Sequence, residues 1–172
     1  GPVRVEIENL PPGFSATTPL VVEAGHLSAQ GVINVTADAK AAPKEAWAKV
    51  RVVAKAQILG QEVVQQAGSL GNLKIGKPPK VLVTLIRDPG RPKPAAGEPD
   101  LVIAPGESIT AMVRITRNGF KGELRFDVDN LPHGVIVDNI GLSGIMVRSG
   151  ESERQIFLTA SNWVSETRRL IH

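Results

Sequence analysis

An all-β chain built as two antiparallel β-sandwich modules in tandem is predicted by three features of the sequence. The first is the scarcity of aromatic residues: Phe and Trp supply 3% of 172 residues and Tyr is absent, while hydrophobic residues reach 42%. Cores must then be packed from Val, Ile, Leu and Ala, as in thin sandwiches. The second is frequent chain reversal, with 13 Pro and 17 Gly spread between short apolar runs and no long helical period to set against them. The third is an internal repeat. Residues 3–13 read VRVEIENLPPG and residues 124–134 read LRFDVDNLPHG.

In the first copy Val3, Val5 and Ile7 alternate with Arg4, Glu6 and Glu8, and in the second Leu124, Phe126 and Val128 alternate with Arg125, Asp127 and Asp129. A period of two with charge on one parity marks a half-buried strand. Both strands run into Asn-Leu-Pro-x-Gly, where Pro removes a ladder donor and Gly admits a positive φ. Further on, the turns Glu23-Ala24-Gly25 and Arg148-Ser149-Gly150 correspond. They precede the strands Ile33-Asn34-Val35-Thr36-Ala37 and Ile156-Phe157-Leu158-Thr159-Ala160, taken as equivalent in that order. A strand over Trp47–Ala56 follows in the first half, with Ala46, Ala48, Val50 and Val52 inward, and the Thr167–Ile171 region is its counterpart. The expected core is Val3, Val5, Ile7, Ile33, Val35, Leu124, Phe126, Val128, Ile156 and Leu158.

Between the copies, Ala104-Pro105-Gly106-Glu107-Ser108 forms a turn, and Ile109, Ala111, Val113 and Ile115 make an inward row ending at Arg117-Asn118-Gly119, a hairpin-type signal. The second half therefore has strands ahead of its repeat that the first half lacks. The first half runs on into Gln61–Ala67, whereas the second stops at His172. Residues 1–76 are expected to form an N-terminally incomplete module and residues 101–172 a C-terminally incomplete one. The missing strands are expected from other domains of a parent protein or from other copies, by strand complementation. Residues 77–100 read as a Pro-rich basic linker with one strand, Val81–Ile86, an edge or linker strand, and the prolines make the connection semi-rigid.

The net charge of +3 is local: six basic residues between Lys74 and Lys93 face one acid, Asp88, which makes that segment +5 and the remainder −2. A nucleic-acid surface spreads its cations over a folded face with interleaved aromatics, so a solvated linker is the better reading and nucleic acid is not an expected partner. No apolar run approaches the ~18 residues that span a bilayer, so no membrane insertion is expected. The start, GPVRVEIENL, lacks the basic and apolar regions of a signal peptide. The absence of Cys removes disulfides, zinc–thiolate sites and thiol nucleophiles.

The pattern APGES…VRITRNGFKGELRFDVDNLPHGV…SGESERQIFLTA resembles tandem immunoglobulin-like, fibronectin-III-like modules of large secreted bacterial proteins, which occur beside pre-peptidase C-terminal modules. In those modules a Leu-Pro-x-Gly turn and a later Pro-Gly or Ser-Gly turn bracket the core strands. The matching residues are Leu10-Pro11-Pro12-Gly13, Leu131-Pro132-His133-Gly134, Pro105-Gly106 and Ser149-Gly150. The resemblance implies an immunoglobulin-like sandwich, no catalytic residues, and a place outside the cell, at its surface or in a periplasm.

Candidate chemistry is sparse. His26, His133 and His172 sit in turns or at the terminus without metal-ligand spacing. Asp127, Asp129, Asn130, Asp138 and Asn139 offer oxygen ligands for calcium, but Glu6 and Glu8 stand at the first two positions in the other copy, which favours a solvated strand face. Leu142-Ser143-Gly144 is not a nucleophile elbow, since no Gly-x-Ser-x-Gly occurs. No enzyme activity, cofactor or bound metal is expected. The residues left for an interaction surface are Trp47, which shares the parity of Lys49 and Arg51, Phe157, on the outward parity of its strand, and Trp163, in the Ser161–Val164 turn. The expected function is a structural or interaction module that spaces or assembles neighbouring domains. A carbohydrate-binding accessory domain of an extracellular enzyme, taking polysaccharide on these aromatics, is the alternative.

Overall fold

Antiparallel strands account for nearly all regular structure in the computed structural model, which describes residues 1–138 and 145–172. The chain forms two units, Gly1–Lys77 and Pro78–His172.

In the first unit the strands are β1 (Val3–Glu8), β2 (Phe14–Ala16), β3 (Leu20–Val22), β4 (Ile33–Val35), β5 (Arg51–Ile58) and β6 (Gln61–Gly68), with one short helix, α1 (Lys44–Trp47). They form a sheet in the order β3-β1-β5-β6 and a separate β2-β4 pair. β1 lies along β5 from Val3 opposite Ala56 to Glu8 opposite Arg51. The β5–β6 hairpin turns through Leu59 (φ 51°) and Gly60 (φ 80°), the paired positive φ that matches the twist of a two-residue hairpin. The core is small: Trp47, Val50 and Val53 are buried together with Thr17. Val50 lies in the turn before β5, its N–H bonded to the Trp47 carbonyl at 3.1 Å, and β6 carries an extra residue, Ala67, opposite Val52/Val53.

The second unit holds β7 (Val81–Arg87), β8 (Ser108–Arg117), β9 (Leu124–Phe126), β10 (Val135–Asp138), β11 (Ile145–Val147) and β12 (Glu153–Ala160). One sheet runs β10-β12-β8-β7 and the other pairs β11 with β9. Ile109, Ala111, Val113 and Ile115 of β8, Val137, Ile156 and Leu158 join Val147 of β11 in one buried cluster, against which Leu124 and Phe126 of β9 pack. Two sheets thus share one apolar layer, which is a β-sandwich. Val81 and Leu85 pack on the same cluster, and β7 pairs with β8 from Val81 opposite Arg117 to Arg87 opposite Ala111. The strand expected as an edge or linker strand thus lies at the edge of the β10-β12-β8-β7 sheet, within the unit Pro78–His172. Pro78, Pro79 and Pro89 flank the strand, a placement that suits a sheet edge.

Ile156 and Leu158 are buried as expected; Val3, Val5, Ile7, Ile33, Leu124, Phe126 and Val128 are half-buried, with Arg125 and Asp127 exposed between them. Val35, expected inside, is 44% exposed.

Several local backbone features recur in the two stretches 3–13 and 124–134. Asn9 and Asn130 both take left-handed backbone, φ 59° and 62°, which Asn tolerates better than most residues. The Asn9 side-chain amide donates to the Lys49 carbonyl at 3.2 Å and that of Asn130 to the Leu170 carbonyl at 2.5 Å, each partner 40 residues on. Gly13 and Gly134 follow at φ 82° and 84°, and their carbonyls accept the N–H groups of Thr36 and Ser161 at 2.9 and 2.8 Å. Val35 faces Phe14 and Ala160 faces Val135, so Ile33–Val35 corresponds to Leu158–Ala160. That is two residues later than the aligned strands suggested, with parity unchanged. Asp129 and His172 exchange backbone hydrogen bonds at 2.6 and 3.3 Å, at the place where Glu8 faces Arg51 in the first unit.

Candidate interaction surface

Of the three aromatic residues assigned to a surface, Trp47 is inside. Pro43 ends an extended segment and Lys44–Trp47 closes one helical turn, with the Trp47 N–H bonded to the Pro43 carbonyl at 3.3 Å. The indole is 2% exposed and meets the Phe14 ring edge-on at 4.9 Å and 83°. Strand parity carried back from Lys49 and Arg51 fails because residues 44–47 follow a helical period. Pro before a run of Lys, Glu and Ala was the available signal. Trp47 is thus a core plug, and its indole N–H finds no hydrogen-bond partner among the described residues.

Trp163 is 58% exposed and lies in the turn after β12, where the Val164 N–H bonds the Ser161 carbonyl at 3.2 Å. The indole rests on Gly134: a Cβ there would stand 2.6 Å from Cη2. His133 lies alongside, ring centroids 5.1 Å apart and tilted 46°. Phe157 is 37% exposed on the outer face of β12, between Asp138 of β10 and Thr110 of β8. Beside it the Thr159 hydroxyl donates to Asp138 and lies 2.6 Å from the Ser108 hydroxyl.

The remaining polar groups brace strands. Asp88 accepts from the Gly90 N–H at 2.9 Å and from the Gln155 side chain at 2.7 Å. The Thr110 hydroxyl, and then these two donors, hold its carboxyl below the ordinary value, so the far end of edge strand β7 is tied to β8 and β12. In the first unit Lys55 and Glu6 form a cross-strand ion pair at 2.6 Å. The Glu6 carboxylate holds the Lys55 ammonium above its ordinary value. Among the acids considered for calcium, Asp127 accepts its neighbour Val128 N–H at 2.9 Å and Asp138 accepts from Thr159. Asn139 and Leu142-Ser143-Gly144 lie outside the described residues. The His26 and His172 amides both serve backbone pairing, with Glu23 and Asp129. A depression of about 450 Å³ lies between the Asn9–Pro12 turn and Ala46, Ala48, Lys49 and Arg51.

The sheet edges are the other feature. Among the described residues β6 pairs only with β5, and all of its residues are exposed; β4 pairs only with β2 there. Among the described residues, no helix is long and apolar enough to cross a membrane. No protein-family model, curated protein or solved structure matches this chain.

Proposed function

We propose that the chain is a non-catalytic pair of immunoglobulin-like modules that spaces or assembles neighbouring domains of a secreted or cell-surface bacterial protein. One observation carries this reading: the two units repeat a frame rather than a site. What recurs between them is the left-handed Asn, its 40-residue clamp and the Pro-x-Gly turn, all of which shape backbone. Trp47 and Trp163, by contrast, differ in burial, 2% against 58%, and in the element that carries them. In each unit the strand before the turn and the strand after it belong to different sheets, the crossing that immunoglobulin-like sandwiches use. The sequence resemblance supports the export assignment, and the unpaired strand edges support assembly.

Exposed Trp163 with His133 beside it favours polysaccharide binding as the second reading. The test joins a glycan array to assays with peptide, ester and glycoside substrates. No turnover and no glycan binding is the expected result. Glycan binding abolished by Trp163→Ala would replace the assembly reading, and turnover would overturn both.

A further inference from the structure

Phe157 stands on the outer face of the β10-β12-β8-β7 sheet, the side turned away from the buried cluster. Gln155 and Thr159 share that face, since Ile156, Leu158 and Ala160 point inward and are buried. Two carboxylates reach β12 on either side of the ring. Asp138 accepts from the Thr159 hydroxyl, and Asp88, just past β7, accepts from the Gln155 side chain at 2.7 Å. Residues two apart on a strand are separated by about 7 Å, so Phe157 lies between the two acids. The printed donors to both acids are neutral, the Gly90 N–H and the Thr110 hydroxyl of Asp88 included. Neither acid forms an ion pair among the described residues. Arg114 on this face is taken by Glu153 at 2.8 Å, and the Arg87 guanidinium serves the carbonyls of Asp88 and Arg91. Residues 139–144 read Asn-Ile-Gly-Leu-Ser-Gly and hold no Lys or Arg. An apolar stripe crosses the same face: Ile136 on β10, 55% exposed, then Phe157, then Met112 opposite Gln155, then Ile86 opposite Met112.

We propose that this face docks a protein partner through an Arg side chain, its guanidinium stacked on the Phe157 ring with Asp138 and Asp88 flanking it. Charge complementarity identifies the occupant: an exposed aromatic ring between two carboxylates attracts a cation, and no cation of the described residues answers them. Arg fits better than Lys because its planar group stacks on a ring while its N–H donors reach carboxylates to the side. The face is open, so a free cation would keep most of its water there. An Arg carried on a segment brings apolar neighbours to cover Ile136, Met112 and Ile86, which supplies the missing area. Strands added at either edge of the sheet would leave this face uncovered. By the register that matches Val35 with Ala160, Val32 takes the place of Phe157 in the first unit, so the feature belongs to the second unit and not to the shared frame. The proposal deepens the assembly reading and rests on it.

The test is an NMR titration of the full chain with the blocked peptide Ser-Leu-Arg-Leu-Ser, compared with Ser-Leu-Gln-Leu-Ser and with methylguanidinium. Saturable amide shifts are expected, centred on residues 155–159 with Thr110 and Asp138, and the Arg peptide should bind about fivefold or more tighter than either comparison. Phe157→Leu keeps an apolar side chain and removes the ring, and it should weaken the Arg peptide by about threefold. The double variant Asp88→Asn, Asp138→Asn keeps side-chain oxygens for the same donors and should weaken it by about fivefold. Raising the salt from about 0.05 M to about 0.5 M should weaken binding to the native chain more than to the double variant. Urea midpoints near the native value show that both variants remain folded. Absence of binding, equal binding of the Arg and Gln peptides, or full affinity in the double variant overturns the proposal. Methylguanidinium binding as tightly as the peptide also overturns it, assigning the site to a small cation. Turnover or glycan binding would defeat the module reading through separate assays, leaving the titration to decide this face.

Discussion

Replacing Gly134 by Ala places a methyl group in the seat of Trp163. The backbone there has φ 84°, and the new Cβ would stand 2.6 Å from Trp163 Cη2 and 2.7 Å from Val164 Cγ2. Two costs combine. A left-handed residue with a side chain costs about 1–2 kcal/mol. Relieving the overlap costs roughly 1–3 kcal/mol more, with the exposed indole swinging outward as the cheapest relief. The sum is about 2–5 kcal/mol. Gly150→Ala separates the two, because Gly150 has nearly the same φ, 85°, with nothing within 4 Å of its Cβ. Urea titration of both variants should show Gly134→Ala the more destabilised by roughly 1–3 kcal/mol. Part of that excess should vanish in the Trp163→Ala background. Tryptophan emission should shift to the red in Gly134→Ala as Trp163 leaves its seat, since Trp47 stays buried. Equal losses for Gly134→Ala and Gly150→Ala would refute the contact and, with it, the placing of Trp163 on the turn.

Asn9 supplies both a left-handed backbone and a bond to the Lys49 carbonyl. Asn9→Gly should cost about 1 kcal/mol for the bond alone, and Asn9→Ala about 1 kcal/mol more for the φ, as denaturant midpoints will report. Phe126 is half-buried against the second core, so Phe126→Ala should cost about 2 kcal/mol, below the 3–5 of a fully enclosed ring. Lys55 is held above the ordinary lysine value of 10.5 by Glu6. Its contribution is therefore complete below pH 10.5 and is lost as pH rises through the higher folded-state value. Thermal melting should accordingly fall more steeply above pH 10.5 in the native chain than in Lys55→Met.

Local patterns were legible in the sequence and long-range ones were not. Alternation in Leu124, Phe126 and Val128 gave the right parity because strand period is a property of a few adjacent residues, as did the Asn-Leu-Pro-x-Gly turn. The outward parity of Phe157 and the turn position of Trp163 were readable in the same way. Trp47 was misplaced because strand period was carried into a helical turn. The strands after the two turns were matched two residues out of step because only the pairing of Val35 with Phe14 and Ala160 with Val135 fixes their register. β7 read as an edge or linker strand, and the choice of an edge depends on Leu85 lying opposite Val113, a contact that prolines on both sides do not announce. The seat of Trp163 on Gly134 likewise joins residues that sequence spacing does not connect.

The open side of β4 is tested most directly by residue-level amide exchange on the unliganded chain. The amides of Ile33 and Val35 should exchange at nearly unprotected rates, while those of Leu158 and Ala160 are slowed by about a hundredfold or more. Comparable protection at Val35 and Ala160 would mean that β4 has a second neighbour and would contradict its pairing with β2 alone among the described residues.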